Sequence, residues 1–160
     1  MVKDCKKSIF CIIFLSLLIL GICFLPFPHW INVKLTGYAV TTHGSIQDEV
    51  TVSIKGWQLN YLIKDDMLRA DIEIQSSTTD ESLRWTTSGS LLNPPDDGAL
   101  YCTVYQYIAN ENGFEFGYFG FTKNMEKCIA PGLQKTISYV SSTDGIKDAA
   151  ELLEAFPLLR

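Results

Sequence analysis

The chain has 160 residues and a formal net charge of −5, from 13 Lys and Arg against 18 Asp and Glu. The charge is unevenly spread: residues 1–8 carry three Lys and one Asp, whereas the residues beyond 25 carry 10 basic against 17 acidic side chains. That length suits one domain beyond any terminal segment. The acidic balance excludes nucleic acid, which is held by cationic side chains on phosphates, and disfavours anionic lipid headgroups for the same reason.

Residues 9–25, IFCIIFLSLLILGICFL, contain no charge, and only Ser16 and Gly21 interrupt the apolar run. As a helix the run extends about 26 Å at 1.5 Å per residue, short against a hydrocarbon core of about 30 Å. Pro26 and Pro28 end the helix. Phe27 and Trp30 stand where amphipathic rings settle at the headgroup level. Lys3, Lys6 and Lys7 precede the run and no Lys or Arg follows until Lys34, which makes the N-terminal side cytosolic. The expectation is a single-pass transmembrane anchor over 9–25 in the cell membrane. It has a basic cytosolic tail over 1–8, an interfacial linker over 26–30 and an extracytoplasmic domain over 31–160.

Three alternatives compete for this segment. A cleaved signal peptide shares the basic start and apolar centre, but its best site, Gly21-Ile22-Cys23, is followed by the bulky Phe24. Lipid attachment at Cys23 calls for a small residue before the cysteine, and Ile22 is there. A buried core helix would have to be apolar all round at the extreme terminus.

Beyond the linker the apolar period is two, the signature of half-buried strands. Ile31, Val33 and Leu35 share one face of a first strand, bent near Gly37. Val50, Val52 and Ile54 alternate with polar residues, and after Gly56 the large residues change parity to Trp57, Leu59, Tyr61 and Ile63. Such a switch calls for a bulge or bend at the glycine. A turn at 64–67 leads to Leu68, Ala70, Ile72 and Ile74, so 57–63 is expected to pair with 68–75. Further strands follow over 83–92, 99–109, 114–122, at Cys128-Ile129 and over 134–140. They are separated by Asn93-Pro-Pro-Asp-Asp-Gly98, by Asn110-Glu-Asn-Gly113 with Gly113 free to take positive φ, and by Pro131-Gly132. Over 144–156 the period lengthens: Ile146, Ala149, Ala150, Leu153 and Phe156 form a helical stripe ended by Pro157. The fold class is mainly β: an antiparallel meander of roughly seven strands, as a sandwich or a partly closed barrel, with a C-terminal helix on one face or across an open end.

Catalytic constellations are not found. His29 abuts the anchor and His43 has only Ser45 nearby, too close to converge as a triad. No GxSxG, GxGxxG, phosphate-binding loop or HExxH occurs, so no cofactor is expected and a metal site has little to build on. Asp65-Asp66 and Asp96-Asp97 read as solvated turn residues, and Asp71 and Glu73, which share the outward parity of their strand with Arg69, read as exposed members of cross-strand pairs. Trp57 and Trp85 read as core anchors. Cys102 and Cys128 are either a disulfide, permitted in an oxidising compartment and closing a loop worth about 3 kcal/mol, or two buried thiols. One stretch suits ligand binding: Tyr101, Tyr105 and Tyr107, with Phe114, Phe116 and Tyr118 on the returning strand, can present an aromatic surface to sugar or peptide. Aromatic stripes on strands are more often core, with Leu100, Val104 and Ile108 as the second covered face.

The segment Ile54-Lys-Gly56-Trp57-Gln-Leu-Asn-Tyr61-Leu-Ile-Lys-Asp-Asp66, continuing into Ala70-Asp-Ile-Glu-Ile74, resembles small exported or anchored β proteins of Gram-positive bacteria. It covers about an eighth of the chain. The resemblance implies an anchor and one β domain, and no activity. The expected function is therefore a non-enzymatic membrane protein that presents a binding or structural β domain to a protein or small ligand at the cell envelope. A small-ligand carrier or sensor with a barrel cavity, or an enzyme of unrecognised type, are the alternatives.

Overall fold

Strands whose apolar side chains all fall on one face must bury that face, and an antiparallel meander does so most completely by closing on itself. The computed structural model describes residues 2–41, 45–78, 82–94, 98–108, 112–132, 137–142 and 156. Helix α1 (Val2–Phe24) is followed by eight strands. They are β1 (Phe27–Thr41), β2 (Ile46–Asn60), β3 (Met67–Ser76), β4 (Ser82–Ser90), β5 (Ala99–Ile108), β6 (Gly113–Thr122), β7 (Lys127–Pro131) and β8 (Ile137–Ser142). Each pairs antiparallel with the next, and β8 returns to β1 through Thr36↔Ser142 to Thr41↔Ile137, closing a barrel. The fold is thus a barrel and not a sandwich.

Ile31, Leu35, Val52, Ile54, Leu68, Ile72, Ile74, Trp85, Val104, Phe119 and Phe121 are buried in one core inside the barrel. Eight strands enclose a space that side chains can fill, and Phe119 and Phe121 stack there at 5.5 Å. Among the described residues, α1 is the one helix. It starts at Val2, so the basic residues expected as a separate tail are helical. Its side chains from Phe10 to Gly21 are all exposed. Among the described residues no helix is long and apolar enough to cross a membrane. The C-terminal stripe lies outside the described residues except for Phe156, which is buried.

Two expectations about strand geometry are corrected. First, β2 runs straight through Gly56 with unbroken register on both sides, Ile31↔Gly56 on β1 and Gly56↔Ala70 on β3. No bulge occurs there, and Gly56 keeps the inward parity of Val50, Val52 and Ile54. Trp57 therefore points outward and is exposed; it is not a core anchor, whereas Trp85 is buried. The glycine is needed for a different reason. A Cβ at this position would overlap the Arg69 carbonyl oxygen and lie 2.5 Å from the Ala70 Cα, so β2 and β3 approach too closely for any side chain. The pairing is also shifted: residues 50–59 face 67–76 and the turn is at 61–66. The register of β1 on β2 shifts between Ala39 and Val40 rather than at Gly37. Second, the left-handed backbone of the β5–β6 turn is at Asn112 (φ 51°), not at Gly113; asparagine tolerates that region.

The β5–β6 hairpin is joined to the wall more loosely than its neighbours. Its own register runs from Ala99↔Thr122 to Ile108↔Gly113. Among the described residues its ladder to β4 holds at Thr86↔Tyr105 and Thr87↔Val104, with a further bridge between Leu92 and Tyr101 beyond the end of β4, and its ladder to β7 holds at Gly120↔Ile129 and Phe121↔Cys128.

Replacing Gly56 by alanine is expected to cost about 1–3 kcal/mol through forced separation of β2 and β3. Thermal unfolding followed by circular dichroism checks this, and an unchanged midpoint would show that the two strands do not approach so closely.

Candidate functional site

With apolar side chains filling the barrel, any binding chemistry is displaced to its outer face. On β5 and β6 that face carries the aromatic residues singled out above. Period-two alternation sends Leu100, Cys102 and Val104 inward, and Tyr101, Thr103, Tyr105 and Tyr107 outward. The register then sets Tyr107 opposite Phe114, Tyr105 opposite Phe116, Thr103 opposite Tyr118 and Tyr101 opposite Gly120.

The five candidate residues do not form one surface. Tyr101 is buried at 1% exposure, beneath Phe156, with the two rings edge to face at 6.3 Å. Gly120 makes room for this contact, since a Cβ there would lie 3.0 Å from Phe156 and from Ile129 and 3.1 Å from Tyr101. That end of the hairpin is covered on both faces. The other end is open: Tyr107, Phe114, Phe116 and Tyr118 are 57%, 59%, 65% and 59% exposed, and Tyr105 is half-buried among them. Phe114 packs edge to face against Tyr107 at 5.4 Å and Tyr105 at 6.1 Å. The Tyr107 hydroxyl donates to Asn112 Oδ1 at 2.8 Å, which fixes one ring relative to the turn.

Beside this ladder, where β6 parts from β7, lies a cleft of about 410 Å³. Phe116 and Tyr118 form one side, Ala130 and Pro131 the other, and Trp85 and Glu115 are also in its lining. Gly117 admits Pro131, whose Cγ is 2.5 Å from where a Cβ would stand. Gln106 Nε2 donates to Glu115 Oε2 at 3.0 Å. The buried indole Nε1 of Trp85 has no hydrogen-bond partner among the described residues. A buried polar group without a partner is unusual, and Trp85 is one of the residues that line the cleft. The cleft was not foreseeable from local pattern, because it joins β4, β6 and β7. Only the run of glycines and aromatics in FEFGYFGF hinted at close packing there.

The remaining candidates are accounted for separately. Asp66 Oδ1 accepts the Tyr61 backbone N–H at 2.8 Å and serves the β2–β3 turn. Asp71 pairs with Arg84 at 2.6 Å and accepts from Thr86 at 3.0 Å, on the outer face. The Arg84 hydrogen bond holds the Asp71 carboxyl below its usual value. The pair is largely exposed and contributes little to stability. His43 and Asp96-Asp97 lie outside the described residues. Among the described residues no three His, Cys, Asp or Glu side chains gather as a metal site.

Cys102 and Cys128 both point into the core, and no disulfide joins them. β6 separates their strands, which places them about 10 Å apart at two strand spacings, beyond the ~7 Å Cα separation that a bridge tolerates. Burial pushes the Cys102 thiol up to about 11, against a smaller opposing effect of its hydrogen bond with Thr87.

No protein-family model, no curated protein and no solved structure matches the chain.

The raised Cys102 value has a pH consequence. The unfolded thiol ionises near 9.0 and the folded one near 11, so the folded state is fully favoured below pH 9 and loses that advantage as pH climbs towards 11. Denaturant titrations across pH 8–11 are expected to show a stability decline that Cys102→Ala flattens. An identical decline in the variant would remove Cys102 as its source.

Proposed function

We propose that the protein is a non-enzymatic membrane-anchored binding module. In this reading α1 inserts into the cell membrane with its N-terminus in the cytosol, and the barrel stands outside as a single acidic domain. The outward face of the β5–β6 hairpin, with the cleft beside it, is the contact surface for a partner. The observation that carries the binding part is the cluster of Tyr107, Phe114, Phe116 and Tyr118, each more than half exposed on one face. Contiguous exposed aromatic surface of this kind marks interaction sites. Support for insertion comes from the exposed apolar side chains Phe10 to Leu20, which would cost heavily in water at roughly 25 cal/mol per Å². Orientation rests on Lys3, Lys6 and Lys7 preceding the apolar run. A run of 17 residues is short for a bilayer, and local thinning accommodates such a mismatch at modest cost.

A second reading is favoured by Trp85. A small ligand bearing a hydrogen-bond acceptor would pair with the indole N–H and lie against Phe116 and Tyr118. In this reading the carrier or sensor site is the β6–β7 cleft, since the barrel's centre is occupied by core side chains.

Site-specific photo-crosslinking in cells tests the contact surface. A photoreactive residue at position 116 or 118 is expected to give a discrete adduct, and one at the outward Lys55 none; uniform absence of adducts at 114, 116 and 118 would remove the face as an interface. Protease added to intact spheroplasts is expected to digest the barrel, and protection of residues beyond Trp30 would reverse the orientation.

A further inference from the structure

The barrel has a second exposed apolar surface, and it lies beside the end of α1. The helix closes with Leu25 N–H donating to the Ile22 carbonyl at 3.3 Å, and β1 begins at Phe27. Residues 25 and 26 alone intervene, so the barrel starts within about 10 Å of the last helical residue at ~3.3–3.6 Å per residue. At that end Phe27, Trp30, Trp57, Leu62 and Ile63 are 49%, 52%, 45%, 63% and 61% exposed. Phe27 pairs with Asn60 and Trp30 with Trp57, whose rings meet edge to face at 4.9 Å. Leu62 and Ile63 stand at the tip of the turn that follows Asn60. The turn is braced by the Tyr61–Asp66 hydrogen bond, and Lys64 Nζ sits 3.8 Å over the Tyr61 ring. A hairpin turn facing water is normally polar; this one puts two aliphatic side chains forward.

We propose that this end of the barrel is a foot seated in the headgroup–acyl boundary of the membrane that α1 enters. The inference rests on the membrane reading of α1. Trp30 and Trp57 have the amphipathic rings that favour that depth. Leu62 and Ile63 project as an apolar wedge, and Lys64 has the flexible stem to lift its ammonium to the headgroups. The short apolar run of α1 acts in the same direction, because a helix that barely reaches across draws its flanks into the interface. The occupant is lipid rather than a protein because the surface begins where the inserted helix ends. Its affinity is apolar rather than electrostatic: the domain is acidic overall, and Asp65 stands beside Lys64. Neutral phosphatidylcholine is therefore a sufficient surface.

The test uses the full chain in phosphatidylcholine vesicles with and without brominated acyl chains, which quench nearby tryptophan. The three tryptophans are Trp30, Trp57 and Trp85, the last buried in the barrel. In W30F the bromolipid is expected to remove most of the Trp57 emission, and in W30F/W57F the remaining Trp85 emission is expected to be unchanged. Leu62→Asp with Ile63→Asp is expected to restore Trp57 emission in bromolipid while the chain still floats with the vesicles. Flotation with no quenching of Trp57 overturns the foot and leaves the anchor standing. Failure to float overturns the anchor and the foot with it. A Trp57 shielded by a crosslinkable second copy instead of lipid overturns the foot in favour of a dimer interface.

Discussion

The double pairing of β1 is the constraint on which the rest of the structure depends. Its first half is held by β2 alone, and its second half by β2 on one side and β8 on the other. That return contact converts a meander into a barrel. Once the sheet is closed, inward and outward become fixed identities for every residue, because a slip of one position would turn the whole apolar set to solvent. At Gly56 in this wall the backbone of β3 occupies the space of a side chain.

Closure also decides where function can be. The interior is filled by Trp85, Phe119, Phe121 and the aliphatic residues around them. What remains for recognition is the outside, and it is not uniform. The wall from β1 to β4 is tightly laddered, with the Asp71–Arg84 pair on its surface. The β5–β6 hairpin is laddered mainly to itself, carries the exposed rings and opens a cleft along β6. The end nearest α1 carries the Trp30–Trp57 pair and the Leu62-Ile63 tip. The barrel thus has two separate exposed apolar regions.

Several features were legible in the residues alone. Alternation located β3, β5 and β6 to within a residue or two, because each has a clean period and a turn at both ends. The aromatic ladder was legible as a face, since Tyr105, Tyr107, Phe116 and Tyr118 share parity by spacing. Whether the face was covered was not: Tyr101 is buried, and Phe156, more than fifty residues later, packs edge to face against it. The apparent parity switch at Gly56 is not a real one, because Trp57 is large and hydrophobic yet exposed. Reading the alternation of Val50, Val52 and Ile54 straight on would have placed Trp57 outside. Leu62 and Ile63 are likewise apolar but exposed, and are turn residues rather than strand.

The sequence by itself determined the apolar run and its basic flank, the antiparallel strands and the inward set, because each follows from local composition and from the two-residue period of a strand. Tertiary structure alone decided that the sheet closes, that Cys102 and Cys128 are held apart by an intervening strand, that Trp85 borders a cleft, and that Trp57 meets Trp30 beside the helix end. Those outcomes depend on which strands become neighbours and in what register. Register is set by contacts between residues far apart in the chain, which no local pattern encodes.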